Sequence, residues 1–206
     1  ITCRDWSSDV CSSDLLGDLI RSYENPKVYK FLHLPVQSGS ERVLRSMRRG
    51  YSPRDFLDMA ASFRASFPDL TLYTDVIAGF PGETDEDFRA TELLIRKIEP
   101  DKVNVTMYSP RPGTLANDLE DMPSRFKKER SRRITRLWQE IAGRRNGRYL
   151  EETIVAQVTE MGREETAMAR SENYRKIVVC EPLPLGSVHE FEIVKTTPFY
   201  LVGEVV

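Results

Sequence analysis

Three apolar runs in the 206-residue sequence carry polar side chains that could hold a ligand. Along each run, apolar and polar residues alternate, which is the pattern of a strand with two different faces. The polar positions on the second face are His33, Gln37, Asp75, Asn104, Thr106 and Tyr108. A parallel strand that is buried on both faces is apolar throughout, so polar residues on one face predict a ligand cavity with its mouth at the carboxyl ends of the strands.

The elements that would position these side chains are strands and helices in alternation. The predicted strands cover residues 31–36, 70–78 and 103–108, and residues with helical spacing lie between them. One of these helices follows Thr84, with Asp87 three residues later, which is a capping-box pattern. Alternation of this kind is typical of βαβ units, so we expect an α/β fold with a parallel sheet.

The net charge of −2 conceals a strongly basic segment. Residues 123–149 contain ten Lys and Arg against two Glu, a local balance of +8, so the remainder carries −10. A solvated helix face can explain such a segment, and phosphate binding needs a second signal beside it. That signal follows: five short β-like runs between residues 154 and 206, separated by Gly and Pro, predict a small antiparallel barrel of the oligonucleotide-binding kind. RNA is therefore an expected partner.

The cysteines and histidines do not form a metal-binding pattern. Cys3, Cys11 and Cys180 give neither the CxxC pairs of a zinc site nor a disulfide framework. His33 has no second ligand type at a useful spacing, so we interpret it as a core histidine with satisfied hydrogen bonds. No acid and base stand out as a catalytic pair. We expect neither metal ligands nor catalytic residues in this chain.

The hydropathy of the chain predicts its location, and its first residues do not resemble the start of a domain. No stretch approaches the roughly 20 apolar residues that span a bilayer, and no signal peptide is visible, so we expect a cytoplasmic protein without a membrane partner. Residues 1–14 repeat a Ser-Ser-Asp unit and lack an apolar stripe. This segment resembles translated adapter sequence, and we leave it out of the fold prediction.

Four motifs give the chain a family resemblance. Residues 33–40 read HLPVQSGS, residues 47–51 MRRGY, residues 74–84 TDVIAGFPGET, and residues 108–114 YSPRPGT. In this order they resemble the radical S-adenosylmethionine methylthiotransferases of tRNA, most closely the archaeal and eukaryotic-type enzymes that act on threonylcarbamoyladenosine beside the anticodon. The resemblance implies that residues 15–145 are the C-terminal half of an open (β/α) partial TIM barrel with a basic linker helix. It also implies that residues 146–206 are a TRAM domain.

The resemblance further implies a site for S-adenosylmethionine at the carboxyl ends of the strands. Arg49 would meet the methionine carboxylate, Asp75 would accept from the amino or ribose groups, and Gly79 would leave room for the adenine. The full set of expected cofactor contacts is Gln37, Ser38, Arg49, Asp75, Ile77, Gly79, Tyr108 and Ser109. The expected phosphate contacts to tRNA are Arg144, Arg145, Arg148, Arg170 and Arg175.

The chain also departs from the family pattern. Family members carry a CxxxCxxC motif on an earlier strand and an N-terminal domain with further cysteines, which together hold two 4Fe-4S clusters. Neither cysteine set is present here. We therefore expect a fragment that is inactive alone. Other interpretations stay open: a methylthiotransferase acting on isopentenyladenosine, an RNA-binding module without chemistry, a radical enzyme of the oxygen-independent coproporphyrinogen oxidase type, or a metal-independent TIM-like enzyme.

Overall fold

The computed structural model describes residues 13–162 and 166–206. Cys3, Cys11 and the first twelve residues of the adapter-like segment therefore lie outside the described residues. The amino-terminal unit has the predicted alternation and orders its strands β1-β2-β3, all parallel. Its elements are α1 (Ser13–Ser22), β1 (Phe31–His33), α2 (Glu41–Ser46), α3 (Pro53–Ser66), β2 (Thr71–Ala78), α4 (Asp85–Ile98) and β3 (Lys102–Met107).

The sheet has one closed and one open face, as the alternation predicts. In β2, Leu72 and Val76 are buried in the core formed with the helices, whereas Tyr73, Asp75 and Ile77 on the other face are half-buried. In β3, Val103 is buried in the same core, whereas on the other face Asn104 is half-buried and Thr106 is exposed. The polar face of the sheet is thus available to a ligand.

Strand β1 ends earlier than the predicted strand of residues 31–36. Pro35 has no N–H to donate, and the chain beyond His33 leaves the regular ladder. The Val36 N–H donates instead to the Thr74 hydroxyl at 3.1 Å. Gln37 then rejoins the sheet through an isolated parallel bridge to Val76.

The first turn of α4 is bonded to the start of α2 through the carboxylate of Asp87. Thr84 and Asp87 form the predicted capping box. The Asp87 carboxylate also accepts a hydrogen bond from Ser40 at 2.6 Å and pairs with Arg42. Although burial opposes its ionisation, the hydrogen bonds from Arg42, Ser40 and Thr84 lower the pKa of Asp87 far below its ordinary value. This carboxylate fixes the segment 38–42 against α4.

Gly39 allows the closest approach between that segment and α4. A Cβ at this position would lie 2.5 Å from the Ala90 carbonyl oxygen and from the Thr91 Cα, which are helix backbone atoms. We expect Gly39→Ala to lower the free energy of unfolding by about 1–3 kcal/mol in urea denaturation, because the helix must shift. Gly17→Ala is the control: its nearest atom is 3.7 Å away, and the change should stabilise α1 by about 0.5–1 kcal/mol. Equal effects of the two changes would contradict this explanation.

The basic segment forms one long helix, α5 (Ser124–Gly147), which follows a short 3-10 turn at Leu115–Asp118. Its apolar stripe includes Ile134, Leu137 and Ile141 and is buried against the sheet and α4, as predicted. α5 therefore covers the closed face of the sheet before it leads to the second unit.

The second unit is a closed barrel of five strands in the order β4-β5-β6-β8-β7. The strands are β4 (Thr153–Met161), β5 (Ala167–Ser171), β6 (Lys176–Val179), β7 (Val188–Thr196) and β8 (Leu201–Val205). Four of the five neighbouring pairs are antiparallel, as predicted, and β6 and β8 run parallel. Strand direction cannot alternate all the way around a closed ring with an odd number of strands, so at least one pair must be parallel.

Candidate functional site

Asp75 is the centre of a polar network on the open face of the sheet. Its Oδ1 accepts from Asn104 Nδ2 at 2.8 Å and contacts His33 Nε2 at 3.0 Å. The network joins one residue from each strand, because Asp75 and Asn104 are register partners on β2 and β3. The interpretation of His33 as a core residue is wrong: its side chain is 41% exposed and pairs with Asp75 at the edge strand.

A cleft of about 760 Å³ opens at the carboxyl ends of the strands, where the alternation places it. Five of the predicted cofactor residues line this cleft: Gln37, Arg49, Ile77, Tyr108 and Ser109. Further lining residues that sequence analysis missed include Arg48, Phe80, Met107, Arg111 and Leu115. The position of Arg111 between two prolines, four residues after the end of β3, was the available signal for that residue.

Gln37 is held at the cleft in a left-handed backbone conformation, with φ of 67°. Its N–H donates to the Asp75 carbonyl at 2.8 Å, and its carbonyl accepts from the Ile77 N–H at 2.9 Å. Such a conformation is costly for a residue other than glycine and persists where the surrounding bonds fix it. The two bonds to β2 therefore hold Gln37 at the carboxyl edge of the sheet.

The other three predicted cofactor residues, Ser38, Asp75 and Gly79, are not among the residues that line the cleft. The Ser38 side chain is buried toward α4, where its hydroxyl accepts from the Ser40 N–H at 3.2 Å and lies 3.4 Å from the Thr91 hydroxyl. Gly79 has φ of +75°, and a Cβ there would lie 2.6 Å from Lys127 Cγ. Room for α5 and a left-handed backbone thus explain the glycine.

The loop that follows β2 is anchored to α5 by charge. The buried Glu83 carboxylate accepts from the Gly79 N–H at 2.9 Å and pairs with Arg130 at 2.6 Å. Burial raises the pKa of Glu83, and the hydrogen bond and charge of Arg130 oppose that rise. Lys127 adds a bond of 3.1 Å to the Tyr108 carbonyl. These contacts fix two loops at the carboxyl edge of the sheet.

Asp101 joins the sheet, α5 and the barrel at one buried point. Its Oδ1 lies 2.6 Å from both Arg145 Nε and Arg175 Nη2, and its Oδ2 accepts from the Leu72 N–H at 2.8 Å. Arg145 and Arg175 were expected to contact phosphate. That expectation is corrected, because both guanidinium groups are buried on Asp101 and hold the two units together.

The other predicted RNA contacts differ in their surroundings. Arg144 is exposed but pairs with Glu99, and Arg170 lies 3.3 Å from Glu160. Arg148 is exposed and its Nε donates to a carbonyl of α5. Among the basic residues of 123–149, five have no carboxylate partner within the described residues: Arg125, Lys128, Arg132, Arg136 and Arg148.

A second groove, of about 950 Å³, separates residues 26–30 from strands β4 and β5. Its walls carry Lys27, Lys30 and Arg170 but also Asp69 and Glu172, so its charges are mixed. None of the predicted cofactor residues lines it. The predicted cofactor residues that line a cavity therefore all lie at the smaller cleft.

No group of three or more His, Cys, Asp and Glu side chains in residues 13–162 and 166–206 could hold a metal ion. No helix in this part of the chain is both long and apolar enough to cross a membrane.

Comparison with known proteins decides the family. Residues 9–95 match the model of the radical SAM superfamily. A probable threonylcarbamoyladenosine tRNA methylthiotransferase from Pyrococcus abyssi is 44% identical over 193 residues, which cover 92% of this chain and 44% of the relative. The corresponding protein from Archaeoglobus fulgidus is 41% identical over 193 residues, with the same coverage. The chain belongs to the radical SAM tRNA methylthiotransferase family.

Relatives in this family differ in the adenosine that their names specify. A tRNA-2-methylthio-N(6)-dimethylallyladenosine synthase from Thermus thermophilus is 38% identical over 186 residues, covering 89% of this chain and 40% of the relative. The chain thus spans less than half the length of these methylthiotransferases.

The cleft residues fit the cofactor that the radical SAM family implies. S-adenosylmethionine combines a carboxylate, hydroxyl and amino groups, and an adenine ring. The cleft offers a guanidinium from Arg49, an amide from Gln37, and apolar side chains from Ile77, Phe80 and Met107. The carboxylate, the hydrogen-bonding groups and the adenine ring of the cofactor therefore each have a matching group at this cleft.

Proposed function

We propose that this chain forms part of an enzyme that transfers a methylthio group to C2 of N6-threonylcarbamoyladenosine beside the anticodon of tRNA. The cleft at the carboxyl ends of β1–β3 carries this proposal, since it gathers residues from motifs that are far apart in the sequence. The names of the archaeal relatives support the threonylcarbamoyl substrate. Dimethylallyladenosine is the alternative, supported by the name of the Thermus relative.

The residues of the chain would bind and orient the cofactor. Arg49 would pair with the methionine carboxylate, Gln37 would offer an amide hydrogen bond, and Ile77 would pack against the adenine. The backbone of Tyr108 and Ser109 would complete the adenine pocket, and Asp75 would accept from an amino or hydroxyl group. When bound, S-adenosylmethionine supplies the radical chemistry of the family upon reductive cleavage of a carbon–sulfur bond.

Each of the two structural units would have its own role in the enzyme. Residues 15–145 would be the C-terminal part of the radical SAM domain, a partial TIM barrel, and residues 146–206 a TRAM domain that binds tRNA. Support comes from the parallel sheet, the closed barrel and the basic helix between them. The two 4Fe-4S clusters of the full-length family would take their ligands from elsewhere than the described residues.

A chimera tests the proposed reaction. Residues 15–206 replace the corresponding segment of the Pyrococcus relative, and the chimera is reconstituted with iron and sulfide without oxygen. We expect it to release 5′-deoxyadenosine and to add a methylthio group to tRNA bearing threonylcarbamoyladenosine, detected by nucleoside mass spectrometry. A folded chimera with cluster absorption but no 5′-deoxyadenosine would contradict the proposal. Product on dimethylallyladenosine alone would select the alternative substrate.

The exposed basic residues near the barrel predict salt-dependent RNA binding. The chain should bind tRNA with an affinity that falls steeply as salt rises, because several phosphates are neutralised. Arg148→Gln should weaken binding to all tRNA sequences alike and reduce the slope of log K against log salt by about 1. Arg54→Gln, on the exposed side of α3, is the control and should leave the slope unchanged. Binding that does not depend on salt would contradict this prediction.

A further inference from the structure

The walls of the cleft carry an excess of positive charge. Arg48, Arg49 and Arg111 line it, and no aspartate or glutamate among the described residues does. Many other arginines of the chain have a carboxylate partner, as Arg130 has Glu83. None of the ion pairs between described residues includes Arg48, Arg49 or Arg111. Three uncompensated guanidinium groups in one cleft favour anionic ligands.

S-adenosylmethionine accounts for only part of this charge. The cofactor has a single carboxylate, which the proposed function assigns to Arg49, and its sulfonium is itself positive. Arg48 and Arg111 therefore have no partner on the cofactor. A second anion must enter the same cleft if their charges are to be compensated there.

The backbone holds both residues at the cleft. Arg48 adopts a left-handed conformation, with φ of 55°, in the turn that ends α2, and its N–H donates to the Arg45 carbonyl at 2.9 Å. This left-handed residue and its hydrogen bond form the C-terminal cap of α2, which fixes the backbone of Arg48 at the wall of the cleft. The same turn places Arg49 beside Arg48, because the Arg49 N–H donates to the Leu44 carbonyl at 2.9 Å.

Arg111 lies on a different segment of the cleft wall, after β3. Pro110 and Pro112 flank it, and Gly113 follows with φ of +80°. Proline fixes φ of its own residue and restricts the residue before it, so this loop is stiff. Arg111 is exposed and lines the same cleft as Arg48.

We propose that Arg48 and Arg111 bind an anionic group of the RNA substrate where the target adenosine enters the cleft. This inference rests on the proposed function and adds substrate-positioning residues to it. The bound group is an oxyanion, which guanidinium groups bind with paired hydrogen bonds. It belongs either to the RNA backbone, as a phosphate, or to the threonylcarbamoyl group, as a carboxylate.

The test measures binding of the whole chain to three anticodon stem-loop RNAs of one sequence. Their target base is adenosine, threonylcarbamoyladenosine or dimethylallyladenosine. Arg48→Gln and Arg111→Gln should each weaken binding roughly tenfold, while the control Arg96→Gln, on the exposed side of α4, should change it by less than about twofold. A phosphate partner predicts the same loss on all three RNAs. A carboxylate partner predicts a loss on the threonylcarbamoyl RNA alone.

Other outcomes separate this inference from the proposed function. RNA binding by the unaltered chain that neither Arg48→Gln nor Arg111→Gln weakens would overturn the inference alone. An equal loss in Arg96→Gln would also overturn it, because the effect would then reflect general charge. A chain that binds none of the three RNAs would overturn the proposed function and the inference together. Circular dichroism of each variant checks that it is folded.

Discussion

Replacing Asp101 by asparagine is expected to lower the free energy of unfolding by about 3–5 kcal/mol, because two buried guanidinium groups lose their counter-charge. Arg145 and Arg175 reach this carboxylate from α5 and from the segment between β5 and β6. The change also weakens the bond from the Leu72 N–H. Urea denaturation at neutral pH, followed by circular dichroism, measures the difference. A loss below about 1 kcal/mol would contradict the role of Asp101 as the joint between the units.

The matched control is Glu99→Gln. Glu99 lies two residues before Asp101 and forms an exposed ion pair with Arg144, which the substitution removes. That pair is screened by solvent, so the expected loss is less than about 1 kcal/mol. If both substitutions cost the same, burial of the Asp101 cluster would not explain its contribution.

The pH dependence of the free energy of unfolding lost in Asp101→Asn gives an independent check. Burial opposes ionisation of Asp101, but the charges of Arg175 and Arg145 prevail and lower its pKa below the ordinary value. A carboxyl group with a lowered folded pKa contributes stability above its unfolded pKa, about 3.9, and loses that contribution as the pH falls through the folded pKa. The difference between the chain and Asp101→Asn should therefore be full at neutral pH and shrink in acid. A difference that grows in acid would contradict this sign.

Arg49→Ala is expected to weaken S-adenosylmethionine binding by about 1.5–3 kcal/mol, which is roughly a 10- to 150-fold rise in Kd. The proposed reason is the loss of a charge-assisted pair with the methionine carboxylate. Titration calorimetry of the unaltered chain and the variant measures the effect.

Arg45→Ala is the control for Arg49→Ala. Arg45 lies on the same helix-and-turn segment but pairs with Glu41 on the exposed surface of α2, outside the cleft. Its replacement should leave the cofactor Kd unchanged. An equal loss in both variants, or no loss in either, would contradict the assignment of Arg49.

The local parts of the fold could be predicted from the sequence. The capping box at Thr84, the apolar stripe of α5 around Ile134 and the alternation in β2 depend on residues a few positions apart. The site could be predicted in part for the same reason, since alternation alone places Gln37 and Ile77 at the carboxyl edge of one sheet. Because Pro35 has no N–H to donate to the sheet, β1 is shorter than predicted. Gln37 nevertheless pairs with Val76 of β2.

The contacts between units could not be predicted from composition. Arg145 and Arg175 are 44 and 74 positions from Asp101, and a count of charges does not show which arginines a distant carboxylate neutralises. The steric constraint at Gly79 has the same long-range origin, because the side chain that excludes a Cβ there belongs to Lys127 on α5. Long-range packing decided both cases.

The central claim is that the cleft at the carboxyl ends of β1–β3 binds S-adenosylmethionine. Its most direct test is a titration of the isotopically labelled chain with the cofactor, followed by amide NMR spectra. We expect saturable shifts at Gln37, Arg49, Ile77 and Ser109, with the barrel strands unaffected. Shifts confined to the groove between residues 26–30 and the barrel, or no shifts at saturating cofactor, would contradict the claim.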